Sequence, residues 1–497
     1  MLPVSHSHEK KAGLAFWAHR VLEECDKAAA GFASDPVHDL RVAIRRCRSM
    51  ADGFLTVDPD PAWKRMKRLA KPLFSSLGGL RDTQVMMEWV TKLGGEGDAV
   101  AHELLAALAQ KEMQQKAAAQ QALAAFDRKH WTTLNAHLAK RTGRVPLEGS
   151  VFQLLALERW TEARELHRKA LRNRSGIAYH QLRIGIKRFR YTVENFLPQR
   201  HGKWAKDLRE LQDALGEVHD FDVLRAIVKA HPGIQPDERQ RWFARISAAR
   251  QERIDRYRQK MVGKQSLWDI WRADLPAGGV LAKAVLEKLR TWAAFLDPDV
   301  AHSKAVARLA LQLYDGLSHC GILVASPEQR RLLEAAAWLH EVGRGANGHG
   351  HGHQKRGYKM ICKLKPPLGW NQEEMRCVAA LVRHHRGPLP MDIDPYFVGH
   401  SPKRVSELMP IIAVLRLANS LDGGHDERIS RVTVETQNGS VMLYAKGLQQ
   451  MSRSAERVAG ARYLLEAVCR LPVLIRPMPS SATSSSRGKG MSRAAAN

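Results

Sequence analysis

Apolar positions recur along most of the chain at the three- and four-residue spacing of a helix buried on one side. Leu14, Trp17, Ala18, Val21 and Leu22 predict a helix over about 13–32. Ser34-Asp35-Pro36 offers a cap and a proline for the start of the next, on which Leu40, Ile44 and Cys47 share a side. The stretch 101–141, rich in Ala, Gln and Lys, reads as one long helix. Residues 236–262 read as another, with Trp242, Phe243, Ile246 and Ile254 inward. Pro276-Ala277-Gly278-Gly279 breaks the pattern and suggests a domain boundary. Beyond it, His302, Val306, Leu309, Ala310 and Leu313 fall at helical spacing after Asp297-Pro298. Ser326-Pro327-Glu328-Gln329 and the pair Asn371/Glu374 are helix-start signals. A period of two appears late, where RISRVTVETQ and SVMLYAK alternate around Asn438-Gly439, a strong hairpin signal. A last amphipathic helix covers about 455–470, and the Ser-, Gly- and Arg-rich tail 477–497 is expected to be disordered. The pattern predicts a mainly α fold with a small C-terminal β-hairpin.

The polar side of that pattern contains a repeat. His38-Asp-Leu-Arg41-Val-Ala-Ile-Arg45-Arg46-Cys-Arg48 returns as His180-Gln-Leu-Arg183-Ile-Gly-Ile-Lys187-Arg188-Phe-Arg190. On a helix, His38, Arg41, Arg45 and Arg48 line one stripe, as do His180, Arg183, Lys187 and Arg190. Leu182, Ile186, Phe189 and Val193 supply the apolar side of the second copy. Arg46 and Arg188 lie off the stripe, facing solvent or an acidic neighbour. Each copy precedes a Trp-led helix and an L-G-x-[LV]-[RH]-D segment, at 77–82 and 215–220, so the chain carries an internal duplication. Two such halves packed with approximate two-fold symmetry would turn the cationic ridges toward a shared axis. A single charge run is usually a solvated face, because like charges at i,i+4 repel; its repetition with the same histidine and spacing argues for a ligand.

Charge strengthens that reading. The 497 residues contain 78 Lys and Arg against 51 Asp and Glu, a net +27, which implies a polyanionic partner. Guanidinium groups on rigid helices suit phosphate oxygens, which they bind two at a time. Aromatic residues make up 6%, and no zinc finger or base-stacking strand is evident, so a thin phosphate chain is preferred over nucleic acid. Six scattered cysteines without a C-x-x-C pair fit a reducing compartment. The first residues lack a signal-peptide core and no run is long enough to span a membrane, so a cytoplasmic location without membrane insertion is expected.

On the duplicated motif, residues from about 13 to 263 resemble the conserved histidine α-helical domain, CHAD. The resemblance implies a pair of helical bundles with a basic central surface that binds inorganic polyphosphate, and association with polyphosphate granules or metabolism. It carries over His38, Arg41, Arg45, Arg48, His180, Arg183, Lys187 and Arg190 as phosphate contacts, with Lys64, Lys67 and Lys71 as weaker additions. The implied domains are 1–263, with halves about 13–140 and 150–263, a linker 264–281, a second domain 282–476 and the tail.

The second domain contains His302, then His340-Glu341, then Asn419, an order similar to the H…HD…D motif of HD metal-dependent phosphohydrolases. With LLEAAAWLHEVG, VRHHR and LRLANSLD around it, the region resembles the C-terminal helical domain of the exopolyphosphatase and guanosine pentaphosphatase family. The resemblance implies an HD-like α-helical domain that could hold Mn²⁺ or Mg²⁺ through His302, His340 and Glu341. Two departures weaken that site: Glu341 stands in place of Asp, and Asn419 in place of the last metal-binding Asp, with Asp422 almost a turn away. The actin-like ATPase domains that carry catalysis in those phosphatases have no counterpart in this sequence, and no catalytic residue is assigned. Metal-dependent hydrolysis of polyphosphate or a phosphorylated nucleotide is the alternative function, and non-specific nucleic-acid binding the second alternative. The Gly-His loop 348–353 either binds metal opportunistically or, as is expected, is a flexible solvent loop, and His384 and His385 either hold phosphate beside Arg386 or cap a helix end.

Overall fold

Helices form where the apolar spacing predicts them, and most bury their stripe against a sequence neighbour. The computed structural model describes residues 13–345, 352–391, 394–449 and 453–478. Contacts divide the chain into two units between Trp292 and Ala293.

In the first unit, α1 (Leu14–Ala29) packs on α2 (Ser34–Phe54), and α3 (Pro61–Leu69) leads into α4 (Lys71–Leu93), which packs on α5 (Ala99–Ala124). After α6 (Arg128–Thr142) the order recurs: α7 (Ser150–Asn173) packs on α8 (Gly176–Phe196), and α9 (Pro198–Ala230) on α10 (Pro236–Met261). The halves share a core in which Met86, Trp89 and Val90 meet Leu104, Phe221, Leu224, Trp242 and Ile246. Leu40, Ile44 and Cys47 of α2 and Leu182, Ile186, Phe189 and Val193 of α8 are fully buried, so the ridges occupy the other sides of these helices.

Two expectations for this unit are corrected. The stretch 101–141 is two helices, because Asp127 caps the second by accepting from the His130 amide at 2.8 Å. The stretch 264–281 is not a linker: it contains α11 (Leu267–Ala273) and the start of α12 (Gly278–Ala294). Pro276 lies between the two helices and Gly278 and Gly279 open the second, whereas Trp268 and Trp271 carry apolar area into the unit. Trp271 lies 5.3 Å from the Phe189 ring, and the Trp268 carbonyl accepts from Trp160 Nε1 at 3.2 Å.

The second unit comprises α13 (Val300–His319), α14 (Pro327–Leu339), α15 (His353–Cys362), α16 (Gln372–His384), α17 (Pro402–Leu421) and α18 (Arg453–Cys469) with strands β1 (Arg431–Gln437), β2 (Ser440–Lys446) and β3 (Val473–Pro477). Ser326 caps α14, and Asn371 with Glu374 forms the reciprocal capping box of α16. β1 and β2 pair antiparallel about Asn438 and Gly439, both at positive φ. The expected hairpin is extended by β3, which pairs parallel to β2 with Val441 opposite Val473, making a three-stranded sheet. Gly316 allows β1 to lie on α13, since a Cβ there would sit 2.5 Å from Val434 Cγ2. All six cysteines are free, and among the described residues no helix is long and apolar enough to cross a membrane. Residues 479–497 of the expected tail lie outside the described residues.

The turn before α3 is fixed by a buried carboxylate. Asp58 accepts from Trp63 Nε1 at 2.8 Å and from Arg141 Nε and Nη2 at 2.7 and 2.6 Å. Replacing Asp58 by Ala strands buried donors, and breaking a buried ion pair from one side costs about 3–5 kcal/mol. The Asp58→Ala variant is expected to lose that much in urea unfolding of the first unit.

Candidate functional site

The two ridge helices pack directly on each other. Arg46 of α2 reaches across to α8, pairing with Glu194 and donating to Asn195 Oδ1 at 3.1 Å, while Asn195 Nδ2 donates to Ser49 Oγ at 2.7 Å. Arg188 finds Glu162 Oε1 at 2.8 Å. The off-stripe arginines are therefore fasteners with acidic neighbours. Fastened this way, the stripes converge: the Arg45 guanidinium lies 5.8 Å from the Tyr191 ring, and Arg41 and Arg45 bear on Lys187.

Convergence has an electrostatic cost. Burial, then Arg183, Arg45 and Arg41, push the Lys187 ammonium down to about 7. Burial and neighbouring arginines also lower His38 and Arg41. Arg41 Nη1 and Arg183 Nε are buried without a hydrogen-bond partner. The site is a crowded set of cations with unused donors.

Not every expected contact is equally available. Arg48 donates to the Lys67 carbonyl at 2.9 Å and lies 5.1 Å from the Phe74 ring, and Lys67 itself pairs with Asp52. Arg190 sits 3.7 Å from Glu194. Lys64 and Lys71 are exposed, His38 is partly so, and His180 Nδ1 is 3.2 Å from His219 Nδ1. Arg41, Arg45, Arg183 and Lys187 form the centre.

Sequence reasoning noted the repeated L-G-x-[LV]-[RH]-D segment without giving it a role. It supplies the acids and a histidine around the ridges. Asp82 acts on Arg41 and Lys187, and burial raises Asp220 to about 6 against the pull of Arg183. His219 is lowered to about 4 by burial and by Arg183. Gly78 admits the Arg41 side chain, since a Cβ there would lie 2.7 Å from Nη1.

The second unit holds a different cluster. His302 from α13, His340 and Glu341 from the end of α14, His353 from the start of α15 and His385 from the end of α16 are all buried. His302 Nδ1 meets Asp422 Oδ2 at 2.7 Å, and its Nε2 lies 3.1 Å from Asn419 Oδ1 and 3.2 Å from His340 Nε2. His340 Nδ1 donates to the Ala337 carbonyl and His385 Nδ1 to the Val382 carbonyl, each at 2.7 Å. His353 Nε2 is 3.2 Å from His385 Nε2 and 3.6 Å from Glu341 Oε1. Burial holds His340 near 3 and His385 well below the ordinary range, and raises Glu341 to about 7 against Arg344.

His302, His340 and Glu341 are thus brought together as the sequence anticipated, with Asn419 beside them and Asp422 orienting His302. His353, expected in an exposed loop, is buried in the cluster; residues 348–351 of that loop lie outside the described residues. His385 faces inward while His384 lies 3.6 Å from Asp394, so the adjacent pair splits between two surroundings. A cavity of about 540 Å³ adjoins the cluster, lined by Glu341, His385, Asn419, Arg344, Arg386 and Arg457 among others.

These features define a mainly helical chain with a duplicated cationic ridge in one unit and a buried histidine–glutamate cluster in the other. Residues 17–229 match the family model described as the CHAD domain, and 289–451 match that of the Ppx/GppA phosphatase, domain III. The chain carries both domains. A crystal structure of the CHAD domain from the plant Ricinus communis is similar at 21% identity, covering 52% of this chain and 88% of that one, with a TM-score of 0.37.

The crowding around Lys187 is open to measurement. Competitive acetylation read by mass spectrometry is expected to give Lys187 a midpoint near 7, rising when Arg41 and Arg45 are replaced by Gln. Above about 7 and below the ordinary lysine value, the unfolded chain holds this proton more tightly, so the group's contribution to stability grows with pH through that window. A midpoint near that of exposed lysines would contradict the geometry.

Proposed function

We propose that the chain binds inorganic polyphosphate along its paired ridges. The observation that carries this reading is the convergence of Arg41, Arg45, Arg183 and Lys187 with too few acids to neutralise them. A linear polyanion would relieve the repulsion, each charge-assisted contact being worth roughly 1.5–3 kcal/mol. The CHAD match carries the same expectation, and a cytoplasmic or granule-associated location belongs to this proposal.

Replacing Arg41, Arg45, Arg183 and Lys187 together by Glu is expected to weaken binding of long polyphosphate by more than about 100-fold, from four lost charge-assisted contacts. Calorimetry and circular dichroism check affinity and fold, and affinity should fall with added salt. Unchanged affinity in a folded variant would sink the assignment. RNA or DNA that displaces polyphosphate more readily than the reverse would favour nucleic-acid binding instead.

A second reading, metal-dependent phosphohydrolase, is favoured by the cluster around Glu341 beside an arginine-lined cavity. Imidazole and carboxylate donors suit Mn²⁺ or Zn²⁺ better than Mg²⁺. A bound ion would supply Lewis-acid stabilisation of a phosphoryl oxygen, and Arg386 and Arg457 would orient the ligand's remaining charge. Phosphate release from polyphosphate or a nucleotide with added Mn²⁺ should disappear on His340→Ala. Release that persists in the folded variant would place the activity elsewhere.

A further inference from the structure

The two halves of the first unit differ at one telling place in the segment that recurs beside the ridges. Aligning 77–82 with 215–220 sets Arg81 opposite His219, just as the ridges set His38 opposite His180. In the first half a fixed cation therefore stands by the ridge histidine: Arg81 bears on His38, and its Nη1 donates to Ser34 Oγ at 2.6 Å and to Glu88 Oε1 at 3.0 Å. The second half puts a titratable ring in the same position.

The two histidines of the second half touch. His180 Nδ1 and His219 Nδ1 are 3.2 Å apart, with ring centroids at 4.6 Å and planes at 47°. At that distance one nitrogen donates and the other accepts, so the contact holds a single hydrogen. Two imidazolium rings would set N–H against N–H, and the pair as it stands cannot carry both charges. Both side chains are partly exposed, within reach of a ligand lying along the ridge.

The surroundings oppose a charge on this pair. On α8 stand Arg183 and Lys187, and Arg41 and Arg45 of α2 bear on Lys187 from across the site. Burial, then Arg183 and His180, hold His219 down to about 4 against the pull of Asp222. Asp222 is already engaged, since Arg250 of α10 donates from Nε to its Oδ1 at 2.8 Å. Glu217 Oε2 likewise accepts from Arg253 Nε at 2.6 Å, and Asp220 faces Arg183 with Asp82 of α4 nearby. Each acid near the pair thus faces a cation of its own, and a charged imidazole would go unneutralised. An anion laid on Arg183 and Lys187 reverses the balance, because it offsets the repulsion and adds an attraction.

We propose that His219, in contact with His180, is a proton-taking part of the ridge site: it gains its charge when a phosphate chain lies on Arg183 and Lys187, so that chain binding draws in a proton and weakens as pH rises. This rests on the polyphosphate reading of the ridges and adds a regulation to it. The first half, with Arg81 in the equivalent place, supplies a charge independent of pH; the second supplies one that follows it.

The test measures proton uptake by the full chain on binding a long polyphosphate, whose inner phosphates stay ionised near neutral pH. Calorimetry at pH 6 in buffers of different ionisation enthalpy should show the wild-type chain taking up about one proton per site. Lys187 is already mostly charged at that pH, and Asp220 is common to every protein compared. His219→Arg, which copies the first half, and His219→Gln should each lower the uptake by more than about half a proton. Wild-type affinity should fall as pH rises from 6 to 7, by up to about tenfold for one proton, and His219→Arg should flatten that fall. Uptake in both variants equal to that of the wild type would overturn the proton contact while leaving polyphosphate binding in place. A wild-type chain that binds without taking up a proton at pH 6 would overturn it too, whether or not the variants fold. No binding of polyphosphate at all would overturn the reading beneath it.

Discussion

Two helices that each carry a row of like charges lie side by side only if something holds them there, and in this protein that is the Arg46 tie to Glu194 and Asn195. The tie uses the arginine just off the stripe, so it draws the ridges together without consuming their central charges. Apolar burial of Leu40, Ile44, Leu182 and Ile186 supplies the adhesion on the far sides of the same helices. What results is a folded surface whose electrostatics are unfavourable alone and favourable with an anion. The lowered proton affinity of Lys187 is the local sign of that tension.

Much of the first unit was legible in the sequence because its signals are local. The repeat fixed both ridge helices, and the buried stripe could be named residue by residue. Which ridge cations stay available was not legible, since Arg48 turns to the Lys67 carbonyl and Lys67 to Asp52 through contacts between separate helices. Asp82, Asp220 and His219 were visible as a recurring segment, but their role depends on α4 and α9 facing the ridges. The helices in 264–281 were not legible, because proline and glycine signal a break locally while Trp268 and Trp271 find their partners, Trp160 and Phe189, on other helices.

The second unit divides along the same line. Helix caps at Ser326 and Asn371 and the Asn438-Gly439 turn follow from short-range chemistry and were readable. His353 was hidden by the composition of its loop, and its burial depends on α15 packing against α16. His302, His340 and Glu341 were found through motif order, yet the partners that orient them, Asp422 and the Ala337 carbonyl, appear only in three dimensions.

The parallel pairing of β3 has a consequence for the order of assembly. A parallel neighbour requires a crossover connection, and α18 is that crossover. The β1–β2 hairpin can form as soon as Asn438 and Gly439 turn, but its β2 edge stays open until Val473–Pro477 has been synthesised and α18 has folded back. During translation, Val441–Ala445 therefore presents unpaired backbone groups to its surroundings until that edge closes, an open template for pairing with another chain.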